Sequence, residues 1–179
     1  MKRLIVIEGF DRCGKDTLLE DLKKEGFCVL SNELKGLPQY DKEQGDFLEW
    51  LDNYIKWQIN TLNNLFKKHE TIVLTRFLVS DEVYSKLFNR KRTVVKHLEK
   101  LNGNVLIYNY CLLFESYDEY LKRLEMIGEP VQYSEEDFNK INDLYKEQIN
   151  MRVGKIKYVH ATDTKEDIKR DFINYCDNI

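Results

Sequence analysis

Residues 7–17 read "IEGFDRCGKDT" and complete the apolar run "RLIVIE" at 3–8. A run of strand length stops at Gly9, and Gly14 and Lys15 then complete G-x-x-x-x-G-K, the pattern of a phosphate-binding loop between a buried strand and a helix. Gly9 and Gly14 let the backbone curl until successive N–H groups, those around Cys13 among them, converge on one phosphate. The helix beginning near Lys15 adds its positive end. Lys15 would neutralise charge developing between the β- and γ-phosphates of a nucleoside triphosphate such as ATP. A Ser or Thr normally follows this lysine and places its hydroxyl on Mg²⁺; here Asp16 follows, and then Thr17. Residues 9–17 thus read as a nucleotide site with an altered metal ligand.

Outward from the loop, short apolar runs alternate with helical patterns. Strands are expected at 3–8, 27–31, 71–75, about 105–114 and 156–160, and helices at 15–25, 46–68, about 81–100, 116–126, 135–151 and 165–177. Apolar runs without polar alternation suit strands covered on both faces. The pattern predicts an α/β three-layer fold with a central parallel sheet of about five strands flanked by helices, in one domain spanning 1–179. Ligands of such sheets bind where loops leave the carboxyl ends of the strands. In "TDTKEDIKRDFINYC" either Thr164 or Asp163 can cap the last helix.

With 179 residues, 42% of them hydrophobic, the chain can bury one sizeable core. Its net charge of −3 argues against a nucleic-acid partner, although "NRKRTVVK" (89–96) is a local basic run. The four cysteines share no metal-ligand spacing and read as reduced thiols. No apolar stretch approaches the ~18 residues of a membrane span, and a cytoplasmic protein without a membrane partner is expected.

The loop interior "EGFDRCGKDT" resembles the thymidylate kinase pattern E-G-x-D-x-x-G-K-S/T-T. The resemblance implies a P-loop kinase fold with a short lid, ATP and Mg²⁺ as cofactors, and a deoxynucleotide acceptor. Asp11 matches the carboxylate near the acceptor's sugar and phosphate. Arg12 matches the arginine of the subgroup that carries its catalytic cation in the loop. "TRFLVSDEVY" (75–84) resembles the family's D-R-Y/F/H-x-x-S-x-x-x-Y segment, which puts Arg76 on the acceptor's α-phosphate, with Phe77 among the substrate-binding residues and Ser80 and Tyr84 in register. "VHAT" (159–162) resembles the turn that flanks the donor adenine, with His160 given no catalytic role. The lid falls at about 123–135. Arg123, with Lys122 behind it, is its candidate cation, and a solvated helix charge is the alternative for both.

Two departures coincide. Asp16 stands where a hydroxyl is usual, and Thr75 stands where the family has an acid before the arginine. A carboxylate and a hydroxyl exchanged between two positions facing one Mg²⁺ would keep its oxygen ligands; the rival is Thr17 as the hydroxyl ligand. The acceptor's base is open: Tyr54, Trp57 and Phe47 compete to stack on it, and each is also a candidate core residue. A deoxynucleoside kinase, with Glu33 as base, is the alternative reading. A kinase acting on a nucleotide within DNA and a non-catalytic nucleotide-binding domain stand further off. The resemblance also implies a homodimer packed through helices 46–68 and 81–100, against a purely internal use of their apolar faces.

Overall fold

Leu4 and Val6 enter one core of the protein and Ile5 and Ile7 the other, and all four are at most 1% exposed. Alternation across a strand with both faces apolar forces helices onto both sides of the sheet. The structure, a computed structural model, describes residues 1–30 and 46–179. Strands β1 (Lys2–Gly9), β2 (Val29–Leu30), β3 (Thr71–Thr75), β4 (Val105–Phe114) and β5 (Gly154–Val159) form a parallel sheet in the order β2-β3-β1-β4-β5. This is the expected α/β architecture. Ser31, the last residue of the expected second strand, and Glu33 lie outside the described residues.

One core joins Ile5 and Ile7 to α1 (Lys15–Lys24), α3 (Leu78–Leu87), α4 (Tyr117–Ile127), α5 (Glu135–Asn150) and α6 (Lys165–Asp177). The other packs Leu4 and Val6 against Ile55, Ile59 and Leu62 of α2 (Phe47–Leu65). Ser116, Ser134 and Thr164 cap α4, α5 and α6 through their hydroxyls. The cap of α6 is Thr164 rather than Asp163, because Asp167 answers it reciprocally in a capping box. Among the described residues, no helix is long and apolar enough to cross a membrane.

The single helix expected over 81–100 is two pieces. Helix α3 ends at Leu87, Asn89 turns left-handed at φ 48°, and a 3₁₀ helix resumes only at Val95–Lys100. Asp81 explains the break. Its buried carboxylate accepts the N–H groups of Thr93 (2.8 Å) and Val94 (2.9 Å) and the Arg90 guanidinium (3.0 Å), drawing the chain back instead of letting the helix run on. A continuous helix across this stretch is therefore not available to pack against a second subunit. Asp81→Ala would strand two buried N–H groups and a largely buried guanidinium, so it should destabilise the protein by about 3 kcal/mol in denaturant unfolding. Three of the four cations of the basic run are paired within the protein. Arg90 bonds Asp81, Arg92 pairs with Glu82, and Lys96 lies 2.8 Å from Asp52.

Candidate active site

Parallel pairing of β1 with β3 sets Ile7 beside Thr75, the last residue of β3, so Arg76 leaves the sheet beside Glu8 and Gly9, the last residues of β1. On the other side Gly9 pairs with Leu112 of β4, and a Cβ at Gly9 would fall 1.9 Å from the Leu112 carbonyl oxygen. Only glycine fits there, at φ 128°. Gly14, at φ 86°, caps α1 without a side chain and leaves that helix's positive end open to the loop.

The loop surrounds a cleft of about 510 Å³ whose walls include Asp11, Arg12, Lys15, Asp16, Arg76 and Arg123. Lys15 is only 4% exposed and donates to the Phe10 carbonyl. Burial, with Arg76 behind it, holds its pKa below the ordinary lysine value. Arg76 donates to Asp11 Oδ1 and to the Tyr84 hydroxyl (3.3 Å), and its guanidinium lies 5.7 Å from the Tyr84 ring centroid. The second oxygen of Asp11 accepts the Tyr133 hydroxyl at 2.7 Å. Burial pushes the Asp11 carboxyl up, but Arg76, Tyr133 and Lys15 together outweigh it and hold the group below its usual range. Asp11 is thus an anchored carboxylate and a poor proton acceptor.

Arg12, exposed and left-handed at φ 65°, pairs with Glu129 of the expected lid at 3.2 Å. Arg123 lines both this cleft and a neighbouring cavity of about 290 Å³ bounded by Gly14, Thr17 and the 161–165 turn. Its Nε is buried and finds no hydrogen-bond partner among the described residues. Lys122 instead pairs with Glu119 at 2.9 Å, and His160 lies 3.2 Å from Glu115. Glu119 also accepts the Ala161 N–H (2.6 Å), which pins the turn beside the smaller cavity.

Asp16 and Thr17 are exposed and line the cleft, whereas Thr75 is 8% exposed and lies outside its lining. Phe77 is 2% exposed and packs in the core beneath α2. Tyr54 and Trp57 belong to a row of rings on α2, Phe47–Trp50–Tyr54–Trp57, with centroids 5.7, 5.4 and 6.0 Å apart. Of these, Tyr54 is electrostatically close to the site. Burial raises its phenol pKa, and Arg76 and Asp16 act on it in opposite senses. The thiol of Cys13 is buried and pushed up to about 12, so what Cys13 can offer is its backbone.

Two participants were not singled out by the sequence. Tyr133 reaches Asp11 across 122 positions, and no local pattern signals that contact. Glu8 had a signal, being an acid that ends an otherwise apolar buried strand.

With this geometry, the comparison with solved structures is informative. A thymidylate kinase from Candida albicans superposes with a TM-score of 0.62 at 16% identity, covering 99% of this chain and 92% of that one. The fold is that of the P-loop deoxynucleotide kinases. A deoxyadenosine kinase from M. mycoides holding dCMP and dCDP matches at TM-score 0.56 and 19% identity, over 98% of this chain and 100% of that chain. The YorR protein of Bacillus subtilis, in complex with phosphorylated GDP, matches at 0.58 and 18%, over 97% and 95% of the two chains. No protein-family model matches the sequence, and no curated protein matches it significantly.

Proposed function

We propose that the protein transfers the γ-phosphoryl group of ATP to a deoxynucleoside monophosphate, dTMP or a relative with a different or modified base. The observation that carries this reading is the Arg76–Asp11 pair, set in the same cleft as Lys15 and anchored from the strand beside the phosphate loop. A guanidinium there suits an acceptor that already carries a phosphate, which it can grip with two parallel N–H groups. An acceptor phosphate oxygen is anionic and attacks the γ-phosphorus without losing a proton. The bond to the β,γ-bridging oxygen breaks and ADP leaves. A sugar hydroxyl would need a base; within the cleft Asp11, held below the usual carboxylate range, is poorly suited to that task, and Glu33, the base of the alternative reading, lies outside the described residues.

In this reading Lys15 and the loop N–H groups hold the donor's phosphates, and the 161–165 turn bounds the donor's base. Arg12 leaves Glu129 to bridge donor and acceptor, and Arg123 stands where the two cavities meet. The exposed Asp16 and Thr17 beside Lys15 fit a Mg²⁺ ion that arrives with a triphosphate, supplying one or two oxygens as such ions require. That ion, when bound, neutralises charge on the transferring phosphoryl group. Asp16→Ser should raise the Mg²⁺ concentration for half-maximal rate by about tenfold. If Thr75 shares the ion, the double variant with Thr75→Asp should outperform the worse single variant; no recovery would leave Thr17 as the hydroxyl ligand.

The deoxynucleoside kinase reading is favoured by the likeness to the M. mycoides enzyme. A coupled ADP-release assay with ATP and Mg²⁺ against all dNMPs, deoxynucleosides and a DNA duplex separates the readings. Release with at least one dNMP is expected, and release with deoxynucleosides alone would overturn the proposal. The DNA arm should be silent, because the chain carries a net charge of −3 and Arg90 is held against the buried Asp81.

A further inference from the structure

The cleft explains what Arg76 touches but not what holds it in place. Its backbone lies at φ 56°, a left-handed conformation that a long side chain rarely adopts without outside support. Support comes from β1 on both sides of the residue. The Arg76 N–H donates to the Ile7 carbonyl (3.0 Å), and the next N–H, that of Phe77, donates to Glu8 Oε1 (3.0 Å). Glu8 then accepts the N–H groups of Val79 (3.1 Å) and Ser80 (3.1 Å) and the Ser80 hydroxyl. It is 0% exposed. These are the orphan donors at the start of α3, whose N-cap residue Phe77 supplies no side-chain bond of its own. The cap comes instead from a strand about seventy residues earlier, and the Ser80 hydroxyl extends the network to the Tyr145 hydroxyl of α5 (3.1 Å).

We propose that Glu8 is a positioning residue that fixes Arg76 in register with the phosphate loop. Glu8 immediately precedes Gly9, so one residue anchors the last turn of β1 and the first turn of α3 together. It has a second consequence for anions. The positive end of α3 is filled by the protein's own carboxylate, so an acceptor phosphate meets the Arg76 guanidinium rather than the helix end. Burial pushes the Glu8 carboxyl above its ordinary range, and Ser80, Phe77, Val79 and Arg76 offset this only in part. The inference rests on the reading of Arg76 as the residue that grips the acceptor's phosphate.

Glu8→Gln keeps the shape but replaces one accepting oxygen by an N–H₂ group that faces other donors. In the full-length protein, kcat/KM for the dNMP should fall about 10²-fold while KM for ATP moves less than about threefold. In an Arg76→Ala background, Glu8→Gln should cost nothing further, since both changes disable one unit. Additive losses, or equal losses toward ATP and acceptor, would overturn the proposal. Ser80→Ala keeps the carboxylate and its three N–H donors, and should give a smaller loss confined to the acceptor. If Glu8→Gln fails to fold, that selectivity decides the matter. A crystal structure of Glu8→Gln gives a readout independent of activity: Arg76 should leave positive φ and separate from Asp11, and an unchanged Arg76 would refute the idea. If the unaltered protein phosphorylates no dNMP, the functional reading fails, yet the crystal structure still decides the role of Glu8.

Discussion

Lys15→Met is expected to lower the turnover of phosphoryl transfer by about 10³-fold, the scale seen when one preorganised cation or donor is lost from a transition state. The same change should leave the fold intact or make it more stable. Lys15 is a buried cation whose amine donates to a neutral carbonyl, that of Phe10, and whose charged form is disfavoured by burial and by Arg76. Methionine has nearly the same length and none of the charge, so it removes that penalty while filling the same space. Groups held ready for a charged ligand commonly cost stability in this way. The two readouts are a coupled ADP-release assay and a melting curve. A rise in Tm of roughly 2–4 °C for each kcal/mol relieved is the expected sign. A lower Tm together with lost activity would mean that Lys15 supports the structure and that its catalytic role is unproven.

The strand–loop–helix reading of residues 3–25 was legible because each step has a local cause. An apolar run demands burial, Gly9 is dictated by the Leu112 carbonyl, and Gly14 opens the helix end. Thr71–Thr75 and Val105–Phe114 were legible for the same reason, as runs with no polar face. The break after Leu87 was not. It depends on the buried Asp81 carboxylate collecting Thr93 and Val94, a contact between positions that periodicity would place on one continuous helix. Phe77 illustrates a different limit. Its place next to Arg76 suggested a surface for substrate, but the left-handed turn at Arg76 sends the two side chains to opposite duties: the arginine into the cleft and the phenylalanine into the core. Sequence adjacency says nothing about such a divergence.

The site also has two halves held by different means. On the side proposed for the donor, the turn at 160–164 is fixed by one local bond, Asp163 accepting the His160 N–H at 3.1 Å, and by one from α4, Glu119 accepting that of Ala161. On the side proposed for the acceptor every such contact is long-range: Glu8 to α3, Asp11 to Arg76, and Tyr133 back to Asp11. Of the two polar contacts between the phosphate loop and the lid segment, Tyr133–Asp11 and Arg12–Glu129, the second is largely exposed and should be worth no more than about 1 kcal/mol. An anionic donor can therefore displace Glu129 from Arg12 at little cost, whereas the Asp11–Arg76–Tyr133 unit should stay assembled through a catalytic cycle.

That durability sets the expected result for Arg76→Lys. The positive charge survives, yet kcat/KM for the acceptor should fall by about 10²–10³-fold, because the phosphate loses a bidentate guanidinium contact and hydrogen bonds to charged groups are worth about 1.5–3 kcal/mol each. The guanidinium serves Asp11 and the Tyr84 hydroxyl on one side while facing the Tyr84 ring, and it retains further N–H groups in a fixed plane for a phosphate. An ammonium on a flexible stem cannot hold these partners and present a planar fork to a phosphate at the same time. Burial opposes the charge on Arg76, but Tyr145, Tyr84 and Asp11 together hold its pKa above the ordinary arginine value, so it carries its charge throughout the working pH range. The loss should accordingly appear as weaker acceptor saturation and slower turnover at every pH, with ATP saturation nearly unchanged. Saturation curves for the two substrates, taken separately for Arg76→Lys and Arg76→Ala, decide the point. If lysine restores acceptor saturation to that of arginine, charge alone is what the acceptor needs, and the bidentate account of Arg76 is wrong.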